Sequence, residues 1–471
     1  MRAWSCRYLS MVTRKPRLGW WPSTGLGIAL FLAGLGATAQ LQAFPAVLAA
    51  SVKSPATITV YLYQGDQETV DWMRSMITKF EEEHPDIKVN VITSAGADYV
   101  TKLTTLWAAG TPPDVWGQGG PVRTYVERGW LLDLTPYVKR DLKELQPDEF
   151  FRAAWLAYQW DGKFWGIPFM SVGSFLFYNA ELFDQGGVSP PPTEWKDSGW
   201  TWDDMVTLAR KLTVIDGSGT MKQAGVGAMT GVFGSILYSY LAGGDWFDAN
   251  AYRTGTPSRS TLFTPENVKA FSSVVNLMWK ERVAPRPGRD FDAWTGFQNG
   301  KVAMYVGAGP WAVMGKRNIL KFAWGMAALP KITQRASIVY TDPWMVSSAT
   351  RHPEAAWELV KFLTSDEVLQ SYVGIAAFPP ARTNSTLAYL QRMAKFSKHH
   401  TEKEILLALA GAQEYGRESI DHVINGWPDI MNTLTPIWTE MYANRKGVGE
   451  SLATADEKLN ALYRKLAAGR Q

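Results

Sequence analysis

Apolar and polar positions recur with two periods along the early part of the chain. Thr57 to Tyr63 reads as a strand, and Glu68 to Glu83 carries Val70, Met73, Met76, Ile77 and Phe80 at the spacing of a helix that Pro85 closes. Ile87 to Ile92 alternates as a second strand, and Tyr99 to Ala109 is a second helix. Pro112-Pro113-Asp114-Val115-Trp116 then leads to a third strand end and the loop Gly117-Gln118-Gly119-Gly120. Strand, helix, strand, helix, strand is the order of a parallel, doubly wound sheet, in which ligands bind outside the carboxyl ends of the strands. Three loops therefore point at one place: residues 64–67, 94–98 and 116–120.

A break in the pattern follows. Phe164 to Met170 and Phe175 to Tyr178 are apolar, but Ser171, Val172, Gly173 and Ser174 between them suit a bend, as a chain crossing between two lobes requires. Thr201-Trp202-Asp203-Asp204 opens a helix running to Leu212, and its Thr-x-x-acid start makes these carboxylates helix caps rather than a catalytic pair. Phe233 to Leu241 reads as a helix ending at Gly243-Gly244-Asp245-Trp246, and Pro265 starts another that reaches Arg282. Phe297 to Val313 reads as a strand followed by Gly309-Pro310, where the chain must bend again.

At 471 residues the chain exceeds one ordinary core, so at least two domains are expected. Residues 1–39 read as an export signal: Arg2, Arg7, Arg14, Lys15 and Arg17 precede an apolar core from Gly25 to Ala37 and the small-x-small site Ala37-Thr38-Ala39. A later cut after Ala49 or Ala50, or an uncleaved anchor, stays open, and a tether over 40–56 follows. Removing five of the 48 basic residues and none of the 44 acidic ones leaves 43 against 44. The basic character thus belongs to the signal and implies no nucleic-acid surface. The one cysteine, Cys6, lies ahead of the apolar core, so the mature chain has no disulfide, thiolate metal site or cysteine nucleophile.

Residues 161–183, in the order Gly-Lys, aromatic, Gly, x, Pro, then an apolar run ending Tyr178-Asn179 and Leu182-Phe183, resemble the first crossover of family 1 extracellular solute-binding proteins, the receptors of ABC importers for sugars. Gly129 to Thr135 matches the family's Gly-x-Leu-x-Asp-Leu-Thr, with a structural meaning as a helix stop and packed turn. Phe297 to Val313 resembles its Phe-x-x-Gly-x-x-Ala-Met strand, and Gly309-Pro310-Trp311-Ala312 matches the return crossing of maltose-binding proteins. Trp324-Gly325 to Leu329-Pro330, the helix Pro353 to Leu363, and Phe378-Pro379-Pro380-Ala381-Arg382 follow in the family's order, so the resemblance spans about residues 57–465. It departs at Tyr340-Thr341-Asp342-Pro343-Trp344, where the family often has a Gly-Gly turn.

The resemblance implies an α/β, two-lobed periplasmic-binding-protein (Venus flytrap) fold with a central, mostly parallel sheet in each lobe and a hinge between them. Lobe one would hold 57–172 and 309–364, and lobe two 173–308 and 365–471, with crossings near 171, 308 and 364. It implies a substrate-binding component of an ABC transporter that captures a carbohydrate in the interlobe cleft and delivers it to permease subunits in the membrane. Such a receptor is exported, periplasmic or extracellular, and membrane-associated if the signal stays uncleaved. It is a monomer, binds no nucleic acid, and uses no catalytic residue, cofactor or metal.

The residues agree with a binding role. Gly-x-Ser-x-Gly is absent, Gly307-Ala308-Gly309 lacks the third glycine of a dinucleotide loop, and Gly315-Lys316 lacks the rest of a phosphate loop. The five histidines show no metal spacing, and His399-His400 reads as solvated surface. A sugar site combines flat aromatic faces with acids, amides and guanidinium groups. Trp116, Trp246, Trp311, Trp344 and Trp427 fall at expected loop or crossing positions, although a single tryptophan is ordinarily core. Gln64, Asp66, Gln118, Tyr178, Asn179, Asp342 and Arg382 complete the candidate set, with Arg382 equally suited to an interlobe salt bridge. Two other readings stay open: an exported carbohydrate-active enzyme using an Asp/Glu pair, and a same-fold receptor for a non-sugar solute.

Overall fold

The structure, a computed structural model, describes residues 55–468 except 64–65, 95–97, 118–119, 197–198, 311–317 and 376–377. The signal, most of the tether, Gln64, Gln118 and Trp311 lie outside the described residues. The first sheet begins as the sequence predicts. β1 (Ala56–Leu62) runs parallel to β2 (Ile87–Thr93) on one side and to β3 (Val115–Gly117) on the other. The helix Gln67–Glu83 between β1 and β2 starts where the Asp66 carboxylate accepts the Thr69 N–H at 3.1 Å, and buries Val70, Met73, Ile77 and Phe80 at the predicted spacing.

A short hairpin, β4 (Gln159–Trp160) with β5 (Lys163–Phe164), precedes the first change of sheet. β6 (Ile167–Gly173) belongs to the first sheet and β7 (Phe175–Asn179) to the second, and every residue of both strands is buried. Ser174 alone separates them, within the predicted bend. Its N–H donates to Ile338 O at 2.9 Å and Ser337 Oγ at 3.0 Å, so the crossing is pinned to the strand that later returns. Gly173 has no side-chain room, because a Cβ there would overlap the Ala412 methyl.

The second sheet contains β8 (Val214–Ile215), β9 (Met221–Ala228), β10 (Val302–Ala308) and β11 (Trp324–Ala327) in the order β11-β7-β10-β9-β8. Only β9 and β10 pair in parallel, and the other three pairings are antiparallel. Both sheets are therefore mixed: three of the five pairings in the first are parallel but only one of four in the second, because strands next to a crossing return directly instead of through a helix. The helix Trp202–Leu212 starts with the predicted reciprocal cap between Thr201 and Asp204.

The later changes of sheet fall further along than 308 and 364. Gly307, at φ 92°, sits at the register shift near the end of β10, and β11 then comes back antiparallel to β7, pairing Trp324 with Asn179 and Ala327 with Leu176. The return follows in residues 328–336. β12 (Ser337–Val346) then pairs with β6 and β3, and β13 (Gly416–Glu418) lies parallel to β12, an element of the first sheet inside the segment expected in lobe two. Val368, Leu369 and Tyr372 of the helix Asp366–Val373 share the core of Ile58, Val60 and Val346, whereas Tyr389, Leu390 and Met393 join the core around the second sheet. Ala381 still belongs to the first core and Arg382 pairs with Glu149, so the third change lies between 383 and 388.

Candidate functional site

The carboxyl ends of β1 and β3 open into a pocket lined by Tyr63, Thr69, Trp72, Gly117, Phe169, Trp344 and Tyr372 among others. Its wall is a chain of aromatic contacts: Trp344 against Phe169 at 5.2 Å between centroids, Phe169 edge-on to Tyr372 at 5.8 Å, and Tyr372 against Trp72 at 4.9 Å. Gly117 admits the indole, since a Cβ there would stand 2.6 Å from the Trp344 ring. Burial pushes the Tyr372 phenol up, and the Asp342 and Asp66 carboxylates add to the shift, which puts both acids within electrostatic reach of that ring. Asp342 acts in the same sense on Tyr99, whose hydroxyl donates to Gly117 O at 2.6 Å. Of the predicted site residues, Trp344 lines this pocket, while Asp66 and Asp342 act electrostatically on its Tyr372.

The second sheet presents its own opening beyond the carboxyl end of β9. Two adjoining cavities of about 440 and 460 Å³ share Thr230, Gly231, Pro287 and Gly288, each within the usual size of a small-molecule site. One is walled by Trp294 and Tyr305, edge-to-face at 5.6 Å; the other by Trp438 and Tyr442, with Thr435 and Thr439. Gly231, which lines both cavities, starts the helix Val232–Ala242 without a side-chain cap.

A polar seam joins the two sheets beside the crossings. Phe233 of the second half stacks on Tyr340 of β12 at 5.5 Å and 21°. His422 Nδ1 lies 2.7 Å from Glu418 Oε1 and 3.1 Å from the Tyr158 hydroxyl, which donates to Thr341 O. Asp421 Oδ2 is 3.7 Å from the other ring nitrogen. Burial opposes the charged imidazolium, but Asp421, the Glu418 hydrogen bond and Asp342 outweigh it and raise the His422 pKa to about 9. Among the described residues no trio of histidine and carboxylate groups is arranged to hold a metal ion.

The remaining predicted residues do structural work. Trp246 is fully buried, near-parallel to Phe271 and edge-on to Trp438 at 5.5 Å, with its N–H donated to Ser239 Oγ. It is core rather than rim, because the helices Pro265–Trp279 and Trp427–Tyr442 close over it. Trp427 is the first residue of that last helix, following Gly426 at φ 70°, and is 9 % exposed; the loop expected there is confined to residues 424–426, just ahead of it. Trp116 is fully buried edge-on to Trp107 and Tyr125, one layer behind the first pocket. Asn179 caps the helix Ala180–Gln185, and Tyr178 is buried with its hydroxyl 3.4 Å from His400. His400 is itself buried, 2.9 Å from Met326 O, not solvated. Arg382 holds Glu149 at 3.1 Å and the carbonyls of Thr364 and Leu145, all within the first half, so it makes no interlobe bridge.

Tyr63, Trp72, Tyr372, Trp294, Tyr305, Tyr158, Glu418 and His422 were not among the predicted residues. Tyr63 borders a predicted β-to-helix loop and Trp294 stands just ahead of the Phe297 strand motif, so both carried a positional signal. Tyr372 and His422 sit on helices whose distance in sequence hides their place.

The sequence model of the bacterial extracellular solute-binding protein family matches residues 66–370. A putative binding protein of Brucella abortus is 23 % identical over 389 residues, 82 % of this chain and 88 % of that protein. The galactooligosaccharide-binding protein of Bacillus subtilis is 24 % identical, over 67 % of this chain and 71 % of its own. Among solved structures, an ABC substrate-binding protein from Listeria monocytogenes in complex with cycloalternan is 26 % identical, with a TM-score of 0.70 over 87 % of this chain and 99 % of its own. The cyclic α-maltosyl-1,6-maltose binding protein of Arthrobacter globiformis shares the fold at 20 % identity, with a TM-score of 0.69 over 87 % of this chain and 100 % of its own. With two sheets that exchange strands at the crossings and a family match over most of its length, the chain is a member of the bacterial extracellular solute-binding proteins.

Proposed function

We propose that this protein is the carbohydrate receptor of an ABC importer, binding an oligosaccharide between its two halves and presenting it to permease subunits in the membrane. One observation carries the reading: the cavity beyond β9 combines aromatic faces with carboxylates and a hydroxyl, the chemistry a sugar ring needs on its flat and equatorial sides, and a small aromatic pocket of about 30 Å³ ends the first sheet. Asp66, Asp342 and Trp344 serve from the first half and Trp294, Tyr305 and Thr230 from the second; Gln64, Gln118 and Trp311 remain proposed contacts. The similar proteins named for galactooligosaccharides or solved with cycloalternan favour an oligosaccharide over a monosaccharide.

Closure about the crossings is the proposed mechanism, the motion common to periplasmic binding proteins. Moving the halves from mostly open to mostly closed takes roughly 5.5 kcal/mol of differential affinity, which about six ligand hydrogen bonds at roughly 1 kcal/mol net each supply. The receptor works as an exported monomer with its signal removed. Thermal shift and calorimetry with mono- to oligosaccharides test the reading: a raised melting temperature with the sugar left intact supports it, and turnover of the sugar overturns it.

A further inference from the structure

β13 ends at Glu418, beside the strand where the chain changes sheets, and only half of this carboxylate is answered by the protein. Oε1 accepts the Thr341 N–H at 3.0 Å and faces His422 Nδ1 at 2.7 Å. Oε2 is buried without a hydrogen-bond partner, on a side chain only 12 % exposed. Such an atom is costly to leave unmade, and native proteins rarely do so without a reason in function. The reason is not a missing cation, because His422 already stands against Glu418 and Asp421.

The surroundings say what is wanted. Tyr340, one register position beyond the Val339 that pairs with Glu418, carries the ring that stacks on Phe233 from the second half. The Tyr158 and Tyr340 phenols both feel the Glu418 charge, and Asp342 follows two residues on along β12. Glu418 thus lies at the seam, among aromatic rings, with an acceptor and no donor. A carboxylate oxygen of this kind calls for a hydrogen-bond donor, and the donors a sugar offers are its hydroxyls.

We propose that Glu418 Oε2 accepts a hydroxyl of the bound sugar and is a specificity-determining residue of the interlobe site. The assignment rests on the carbohydrate reading above. Its chemical consequence is selectivity: a ligand whose hydroxyl at that position is removed or methylated leaves Oε2 unpaired and is discriminated against, as sites built to bind a hydroxyl reject analogues lacking it.

The test titrates the wild type with maltose, maltotriose, acarbose and cycloalternan, repeats the tightest binder with Glu418→Gln, and solves the wild-type complex with that sugar. Expected are a sugar hydroxyl oxygen within hydrogen-bond distance of Oε2 and a Kd raised at least tenfold in the variant, titrated at a temperature where circular dichroism shows it folded, because losing the charge beside His422 also lowers its ligand-free melting temperature. A complex in which Oε2 meets only water, or a Kd within twofold of wild type, overturns the assignment while leaving the carbohydrate reading intact. A wild type that binds none of the four sinks both. If Glu418→Gln fails to fold, the wild-type complex decides alone.

Discussion

Phe233 and Tyr340 share a stack, 5.5 Å between centroids, although one belongs to a helix over the second sheet and the other to a strand entering the first. The contact ties the two halves beside the crossings. Replacing Phe233 with alanine removes an aromatic pair worth about 0.5–1.5 kcal/mol. Ligand affinity is expected to fall about two- to tenfold, read by calorimetry, with a smaller change in ligand-free melting temperature.

Two tryptophans separate binding from stability. Trp294 is half-buried at the mouth of the β9 pocket, whereas Trp246 is enclosed. Trp294→Ala is expected to lose roughly 1–3 kcal/mol of binding through lost apolar contact and to keep its fold. Trp246→Ala is expected to lose roughly 3–5 kcal/mol of stability, visible in urea unfolding without any ligand.

His422 makes stability depend on pH. Its folded pKa of about 9 lies above the ordinary value of 6.5, so the imidazolium stabilises the fold fully below about pH 6.5 and this contribution is lost as pH rises through 9. A raised pKa of this size corresponds to about 3 kcal/mol. Urea unfolding from pH 6 to 10 should show this decline in the wild type and a flatter profile in His422→Gln; parallel profiles would contradict it.

Gly173 and Ala412 can be exchanged as a pair. A methyl on Gly173 meets the Ala412 methyl, so Gly173→Ala is expected to cost roughly 1–3 kcal/mol by overpacking. Adding Ala412→Gly should recover most of the loss in denaturant unfolding, because the second change vacates the volume the first one fills.

How far the chain can be read without its structure follows from the range of each interaction. The β1-to-β3 order and the cap at Thr201 depend on neighbours a few residues away, and their periods are plain in the sequence. The crossing was legible at Ser171 to Ser174 because small residues break an apolar run. The return was not: whether the chain changes sheet after β10 depends on Trp324 to Ala327 pairing with β7, nearly 150 residues earlier. Trp246 was misplaced for the same reason, since Gly243-Gly244-Asp245 looks like a loop and the rings of Phe271 and Trp438 that bury it are remote. Asp342 and Trp344 were legible as a departure from the family pattern, whereas Glu418 gains its meaning only from lying beside Val339.

The strand exchange between the sheets also sets an order of events during synthesis. β6 is wholly buried, yet the Ser337 hydroxyl that receives Ser174 is 163 residues further on, and β12 itself waits for β13. A nascent chain leaving the ribosome can assemble β1, β2 and β3 early but must hold β6 without its partner until most of the polypeptide exists. Contacts of such long range slow folding, and an apolar strand left open meanwhile is the segment a chaperone would shield.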